Sequence, residues 1–318
     1  MTQHSITSNS QISPRRVAVF GATGDQGAAQ VQSLARAGYH PVAVSRNPKP
    51  LSIDGASIET IAANFADSHA LIKAVEGTDA IFLNFPSTSF QASEPLIAAA
   101  STIARTAASS GRTKSLIFNT SLPVPINKLG FPAQDARHEM RRLIFASGVP
   151  AVSIQPVVFL DNLLKDWAWP SIRIHKKIFY AHKETLDVSW ICHADLAALM
   201  IAALERPHLG GRCFNVGGPD TVRLPVLAKK LSHAWNCSLS YESQSVDNFC
   251  LGMHQVFKGK SSLKAEQLID ELHRIYTWYN NSTERPFCVD MAPVLKELPV
   301  HLTSIEEWAK RHASPCVK

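Results

Sequence analysis

Short apolar runs alternate with helix-like stretches from residue 15 to residue 155, which predicts an α/β fold built on a doubly wound parallel sheet. A glycine triplet, Gly21, Gly24 and Gly27, stands between the first apolar run and the first helical stretch, where such sheets turn tightly. After Pro156 the alternation breaks, and the rest of the chain is expected to add a smaller, mostly helical C-terminal substrate lobe.

The elements follow in order. Arg16 to Phe20 is a short β-branched run and is expected to be a buried strand. The glycine turn follows, then a helix from Ala28 to Ala37 that Gly38 stops, then a second strand from Pro41 to Ser45. This β-α-β unit implies a parallel pair with a right-handed crossover. Ile58 to Ala62 is a third strand, Ser68 to Val75 a helix, Ala80 to Asn84 a fourth strand and Pro95 to Ser109 an alanine-rich helix. Ser115 to Thr120 is a fifth strand, Ala133 to Ser147 a helix ended by Gly148, and Ala151 to Gln155 a sixth strand. Beyond the break, Ala194 to Leu204, Leu224 to Trp235, Ser262 to Tyr279 and Thr303 to Arg311 have helical spacing. Arg212 to Val216 is expected to return to the sheet. Thr303 or Ser304 suits the N-cap of the last helix, and Asp195 that of the helix around Ala194.

These elements give a domain plan: a polar leader at 1–14, a dinucleotide-binding domain at 15–156 with return elements at about 190–218, and a substrate or partner lobe from 157–189 and 219–318. The 318 residues allow one large domain or two closely joined ones. With 45% apolar and 18% charged residues, the composition excludes a disordered chain, a collagen-like chain and a small disulfide scaffold. No apolar run approaches about 18 residues, so no membrane span is expected, and the polar leader has no signal-like apolar region. A net charge of +6 without a basic block argues against nucleic-acid binding. The six cysteines, Cys192, Cys213, Cys237, Cys250, Cys288 and Cys316, form no CxxC pair and no zinc-like spacing, so reduced thiols in a cytoplasmic protein are expected and no metal. Three glycosylation-like triplets, at Asn119, Asn236 and Asn280, are then accidental.

The glycine turn carries the clearest chemistry. Its first glycine permits the turn, the second admits a pyrophosphate close to the backbone, and the third lets helix and strand pack. The free N–H groups of the helix start then face the phosphates. Gly21, Thr23, Gly24, Asp25, Gln26 and Gly27 are the expected cofactor contacts here. An NAD site places an acidic residue at the end of the second strand, but this chain has Ser45-Arg46-Asn47-Pro48-Lys49. Arg46, assisted by Lys49, suits the 2′-phosphate of NADP(H), so NADPH is expected over NADH. Phe65 after the third strand can pack on the adenine or in the core, and Asn84, Phe85 and Pro86 close the fourth strand beside the cofactor.

No tyrosine is followed four residues later by lysine, so the Tyr-x-x-x-Lys proton-transfer pair of short-chain dehydrogenases is missing. Thr120 and Ser121, at the end of the fifth strand, can hydrogen-bond a substrate carbonyl or form a turn at the cofactor. Residues 159–190 are rich in aromatics, either a core patch or a wall for an apolar substrate, and Phe159, Asn162, Trp167, Trp169 and Tyr180 are the candidate substrate contacts. Asp161, Asp166, His175 and His182 in this segment are candidate proton donors or ordinary capping and surface groups.

GATGDQG, the arginine after the second strand, ARHEMRRLIFASGVP, SIQPVVFLDNL, FNVGGPD and the late RPFCVD…LTSIEEWAKRH segment resemble the NmrA-like family of atypical short-chain dehydrogenase/reductases. The resemblance runs over nearly all of residues 15–312. It implies NADP(H) on a Rossmann-type domain, with a small lobe over the nicotinamide, and it places Pro156, Val157 and Val158 along that ring. It also implies one of two classes: enzymes that reduce quinones, enones, imines or related natural products, or redox sensors that bind cofactor and a regulatory protein partner. Relatives often carry a lysine just before the His-Glu of the helix after the fifth strand, where this chain has Arg137. A guanidinium stays protonated and cannot be a base, but it can hold a phosphate, a ribose or an anionic substrate oxygen. The expectation is an NADPH-dependent oxidoreductase, monomer or homodimer, acting on a bulky apolar or aromatic metabolite. The alternatives are a non-catalytic sensor, or a tailoring enzyme whose bound NADP(H) guides a cyclisation.

Overall fold

A computed structural model describes residues 15–316; the leader expected at 1–14 lies outside the described residues. Its main sheet holds β1 (Arg16–Phe20), β2 (His40–Ser45), β3 (Leu51–Ile53), β4 (Ala56–Ala62), β5 (Ala80–Asn84), β6 (Ser115–Asn119), β7 (Ala151–Pro156) and β10 (Cys213–Val216). The strand order is β10-β7-β6-β5-β1-β2-β4-β3. All neighbours are parallel except the β3–β4 hairpin. The chain winds outward from β1 through β2 and β4, then restarts at β5 on the other side of β1. This reversal opens a crevice at the carboxyl ends of β1 and β5, where doubly wound sheets hold ligands. The predicted α/β class and the return of residues 213–216 to the sheet are both observed.

Alternation along the strands assigns the two faces of the sheet. Val17 and Val19 of β1 join one core cluster, and Ala18 and Phe20 join the other. The first face is covered by α1 (Asp25–Arg36) and α6 (His193–Leu204), through Val31, Leu34, Leu196 and Leu199. The second carries α2 (Ser68–Val75), α3 (Ser93–Ser110) and α4 (Pro132–Ala146). The buried stripe of α3 is mostly alanine, at Ala99, Ala100, Ala104 and Ala107, and such small side chains let a helix lie close to its neighbours.

The lobe adds α5 (Trp169–His175), β8 (Lys177–Tyr180), β9 (Val188–Ser189), β11 (Thr221–Val222), α7 (Leu224–Trp235), β12 (Ser240–Ser243), α8 (Val246–Phe257), α9 (Ala265–Asn281), α10 (Met291–Glu297) and α11 (Ile305–Lys310). Strands β8 and β12 pair in parallel, and β9 and β11 antiparallel. Neither pair was legible in the sequence, because strands of two to four residues carry too little periodicity. Helices α5, α8 and α10 and the short strand β3 were missed likewise. Helix α11 begins at Ile305, with Ser304 as its N-cap in a reciprocal pair with Glu307.

Two expectations need correction. Cys237 and Cys316 form a disulfide, so the expectation of six reduced thiols fails for this pair; Cys192, Cys213, Cys250 and Cys288 are free. Asp195 does not cap α6. It sits in the first turn and accepts hydrogen bonds from Thr303 N at 2.8 Å and Thr303 Oγ1 at 2.7 Å, which fixes the approach to α11. Asp161 takes the capping role instead, accepting from His193 N at 2.9 Å.

His182 lies inside the aromatic core of the lobe. Its ring stacks on Tyr276 at 5.5 Å and packs on Phe287 at 5.1 Å, and neither ring nitrogen has a partner. Burial pushes its pKa down from 6.5 to about 3, so the folded protein holds it neutral. The unfolded chain binds a proton there below pH 6.5 and the folded chain does not. Stability from this residue is therefore complete above pH 6.5 and is lost as the pH falls towards 3, by on the order of 1 kcal/mol per pH unit. His182→Phe is expected to remove one proton equivalent from the acid-side slope in urea denaturation between pH 7.5 and 4.5. An unchanged slope would show that His182 does not titrate on unfolding.

Candidate dinucleotide site

The first βα turn shapes the site. Gly21 adopts φ +73°, a left-handed conformation open to glycine, and a Cβ there would lie 2.9 Å from Asn84 O. A Cβ on Gly27 would lie 2.3 Å from Gly21 O, so only glycine lets α1 start this close to the turn. Gly24 caps α1 with φ −78° and ψ 159°, and its N–H donates to Gly21 O at 3.0 Å. Asp25, in the first turn, pairs with Lys165 at 2.5 Å.

Above this turn lies a groove of about 520 Å³. The turn residues Gly21, Thr23, Gly24, Asp25, Gln26 and Gly27 line its floor. Arg46 stands at the β2 end and has no carboxylate beside it among the described residues. Phe65 and Phe85, with ring centroids 4.8 Å apart, form a wall together with Asn84 and Pro86, and Ser121 closes the far end. Twelve of the residues expected at the cofactor or the reacting centre therefore share one groove.

A buried amide network holds the strand ends against α1. Asn84 and Gln30 exchange paired hydrogen bonds at 2.7 and 2.8 Å, and Asn84 Nδ2 also donates to Phe20 O at 2.9 Å. Asn119 Nδ2 donates to Asn84 Oδ1 at 2.8 Å and to Gln26 Oε1 at 2.6 Å. Ser121 Oγ reaches the same Gln26 oxygen at 3.2 Å. Ser121 has φ +61°, unusual for a residue with a side chain, and is held there by Asn119 Oδ1, which accepts from its backbone N–H at 2.9 Å. Gln26 and Gln30 thus tie the glycine turn to the ends of β5 and β6. The role of Gln30 was not foreseen, since nothing local marks which helical glutamine faces the sheet.

Other expected site residues lie elsewhere. Thr120 and Arg137 line a cavity of only about 10 Å³ beneath Ser121. Thr120 Oγ1 donates to Leu122 O at 2.6 Å, and of the two residues only Ser121 lines the groove. Arg137 is buried, with no carboxylate paired to it among the described residues. Its Nε donates to Thr120 O at 3.1 Å, and its Nη1 to Ala133 O and Gln134 Oε1, both at 3.0 Å. Burial lowers its pKa, an effect opposed by Tyr279, which is held by Gln134 at 2.8 Å. Pro156, Val157 and Val158 are buried, with Pro156 in register beside Val216 of β10, and line neither space. Lys49 lines a separate groove beside α1 and α11.

The aromatic segment packs as core around its own neighbours. Tyr180 is 3% exposed and meets Trp167 at 5.6 Å and Trp190 at 6.4 Å. Trp169 packs on Trp235 at 6.0 Å, and Phe159 on His193 at 4.7 Å. None of Phe159, Asn162, Trp167, Trp169 and Tyr180 lines the groove over the glycine turn. What reaches that groove from the lobe is the α8–α9 connection. Phe257 stacks on Phe90 at 3.8 Å, Gln91 Nε2 donates to Lys260 O at 2.9 Å, and Ser262 Oγ accepts from Ala92 N at 2.8 Å. Gln91 and Ser262 line the groove, and sequence reasoning missed both.

A reversal-point crevice over a glycine turn and a helix start defines a dinucleotide-binding architecture of the Rossmann type. The chain belongs to the NmrA-like family, which matches residues 13–309. A (4-alkanoyl-5-oxo-2,5-dihydrofuran-3-yl)methyl phosphate reductase from Streptomyces griseus subsp. griseus is 28% identical over 73% of this chain and 78% of its own. An NAD(P)H azoreductase from Xenophilus azovorans is 26% identical over 94% of this chain and 98% of its own. Among solved structures, an NADPH-dependent quinone oxidoreductase from Escherichia coli superposes with a TM-score of 0.69 at 19% identity, over 93% of this chain and 99% of that one. Among the described residues, no helix is long and apolar enough to cross a membrane, and no cluster of acidic, histidine or cysteine side chains could hold a metal ion.

Proposed function

We propose that this chain is an NADPH-dependent reductase that delivers hydride to a bulky, electron-poor apolar acceptor such as an enone, quinone, imine or azo compound. The observation that carries the reading is the single groove running from Arg46, past Phe65 and Phe85, over the glycine turn to Ser121. Gly24 and the α1 start suit the pyrophosphate. Arg46, with no acidic residue near it at the end of β2, suits a 2′-phosphate. The two curated relatives are both reductases, one of an oxo-dihydrofuran carrying a phosphate ester.

When bound, the cofactor supplies the hydride. The protein orients and shields. Ser121 lines the end of the groove, and its Oγ donates to Gln26 Oε1 at 3.2 Å, so it serves an acceptor oxygen only by turning its proton away from Gln26. Arg137 braces the Thr120 carbonyl from below, which supports a positioning role over substrate contact. With Tyr-x-x-x-Lys absent, the proton that completes the reduction does not come from that pair.

A second reading, a cofactor sensor without turnover, is favoured by the 10 Å³ cavity at Thr120 and Arg137, which holds no bulky molecule as it stands. One experiment separates the two. The protein is mixed with NADPH deuterated at the transferable C4 position and with a quinone, an enone and an azo dye in turn. Deuterium or matched cofactor oxidation in any product is the expected result. NADPH binding with no oxidation across the panel would favour the sensor.

A further inference from the structure

A groove of about 1150 Å³ runs beside α1, distinct from the one over the glycine turn and meeting it only at Thr23, Ser45 and Arg46. Its walls are small or apolar: Ala28 and Ala29 of α1, Leu51 and Ile53 of β3, and Trp308 of α11. Its charges do not balance. Arg36 is paired with Asp54 at 3.0 Å, but Arg46, Lys49 and Arg311 have no ion-pair partner among the described residues. The one lining carboxylate, Asp161, is already engaged by the N–H of His193. Trp308 is 2% exposed and closes this side of the groove with the edge of the core. Arg311 follows α11 as its C-cap, and its Nη1 donates to Thr303 Oγ1 at 3.3 Å, a neutral partner that leaves its charge unmatched.

We propose that this groove is a second ligand site, for a small organic anion with a flat apolar body. The body lies on Ala28, Ala29 and Leu51, and the acidic group is held by Arg311. Because Arg311 lines only this groove, the anion binds while a dinucleotide fills the other one, with Arg46 left to the dinucleotide.

The probe is 8-anilinonaphthalene-1-sulfonate, an aromatic sulfonate that fluoresces in apolar surroundings, titrated into the full chain with and without saturating NADPH. One probe per chain is expected under both conditions. Arg311→Gln is expected to weaken it about tenfold, the scale of one charge-assisted contact. Ala29→Trp, which fills the floor, is expected to abolish it. Both variants should bind NADPH as the parent does, which shows that they fold. Displacement of the probe by NADPH, binding equal to the parent in both variants, or no probe bound to the parent would each overturn the proposal. A chain that takes the probe but not NADPH would instead defeat the reductase reading and leave the second site standing.

Discussion

Arg46→Glu is expected to weaken NADPH binding roughly 100-fold while NADH affinity stays within about threefold. Arg46 lies at the β2 end of the groove and is exposed to it, with no neighbouring carboxylate to absorb its charge. A guanidinium facing a 2′-phosphate contributes charge-assisted hydrogen bonds, and glutamate replaces them with repulsion. NADH has a ribose hydroxyl at that point, which a carboxylate can accept from. The exposed position also makes the substitution safe for folding. Titrations of both cofactors by fluorescence or calorimetry decide the matter. Equal losses for NADPH and NADH would remove Arg46 from the 2′-phosphate.

Gly24→Val is expected to abolish measurable binding of both cofactors, a loss of more than about 100-fold, in a protein that still folds. The backbone at Gly24 is extended, so a side chain is conformationally allowed, and a Cβ there comes no closer than 3.3 Å, to Gly21 O. The isopropyl group would then stand where a pyrophosphate has to approach the α1 start. Gly27 behaves differently, because its Cβ would sit 2.3 Å from Gly21 O and 2.8 Å from Gly21 C, backbone atoms that cannot yield. Gly27→Ala is therefore expected to cost several kcal/mol of stability, roughly 3, and to lower soluble yield. Thermal melts with cofactor titrations separate the two glycines. A folded Gly24→Val with parental affinity would mean that the dinucleotide does not cross the turn.

The glycine turn, Arg46 and the strand ends at Asn84 and Ser121 were legible because each is a local feature. Strand, turn and helix follow one another in sequence, so the residues that share the groove floor are close in the chain. Arg137 was legible as an unusual residue but not as a brace for Thr120, since only burial tells a donor used inside the protein from one offered outward. The aromatic segment shows the same limit from the other side. Its composition fits a substrate wall or a core, and which of these holds for Trp167 and Tyr180 depends on α8 and α9, some seventy to a hundred residues further on.

By itself, then, the sequence determined the alternating strands and helices of the sheet, the turn that opens the crevice and the charge at the end of β2, because periodicity, glycine geometry and residue charge act over a few neighbouring positions. Only the tertiary structure decided that Ser262 closes on Ala92 across 170 residues, that Cys316 reaches Cys237 across 79, and that Trp308 and Arg311 face α1 across a groove. Those pairings come from the burial of distant surfaces against each other, and no local pattern encodes which surfaces meet.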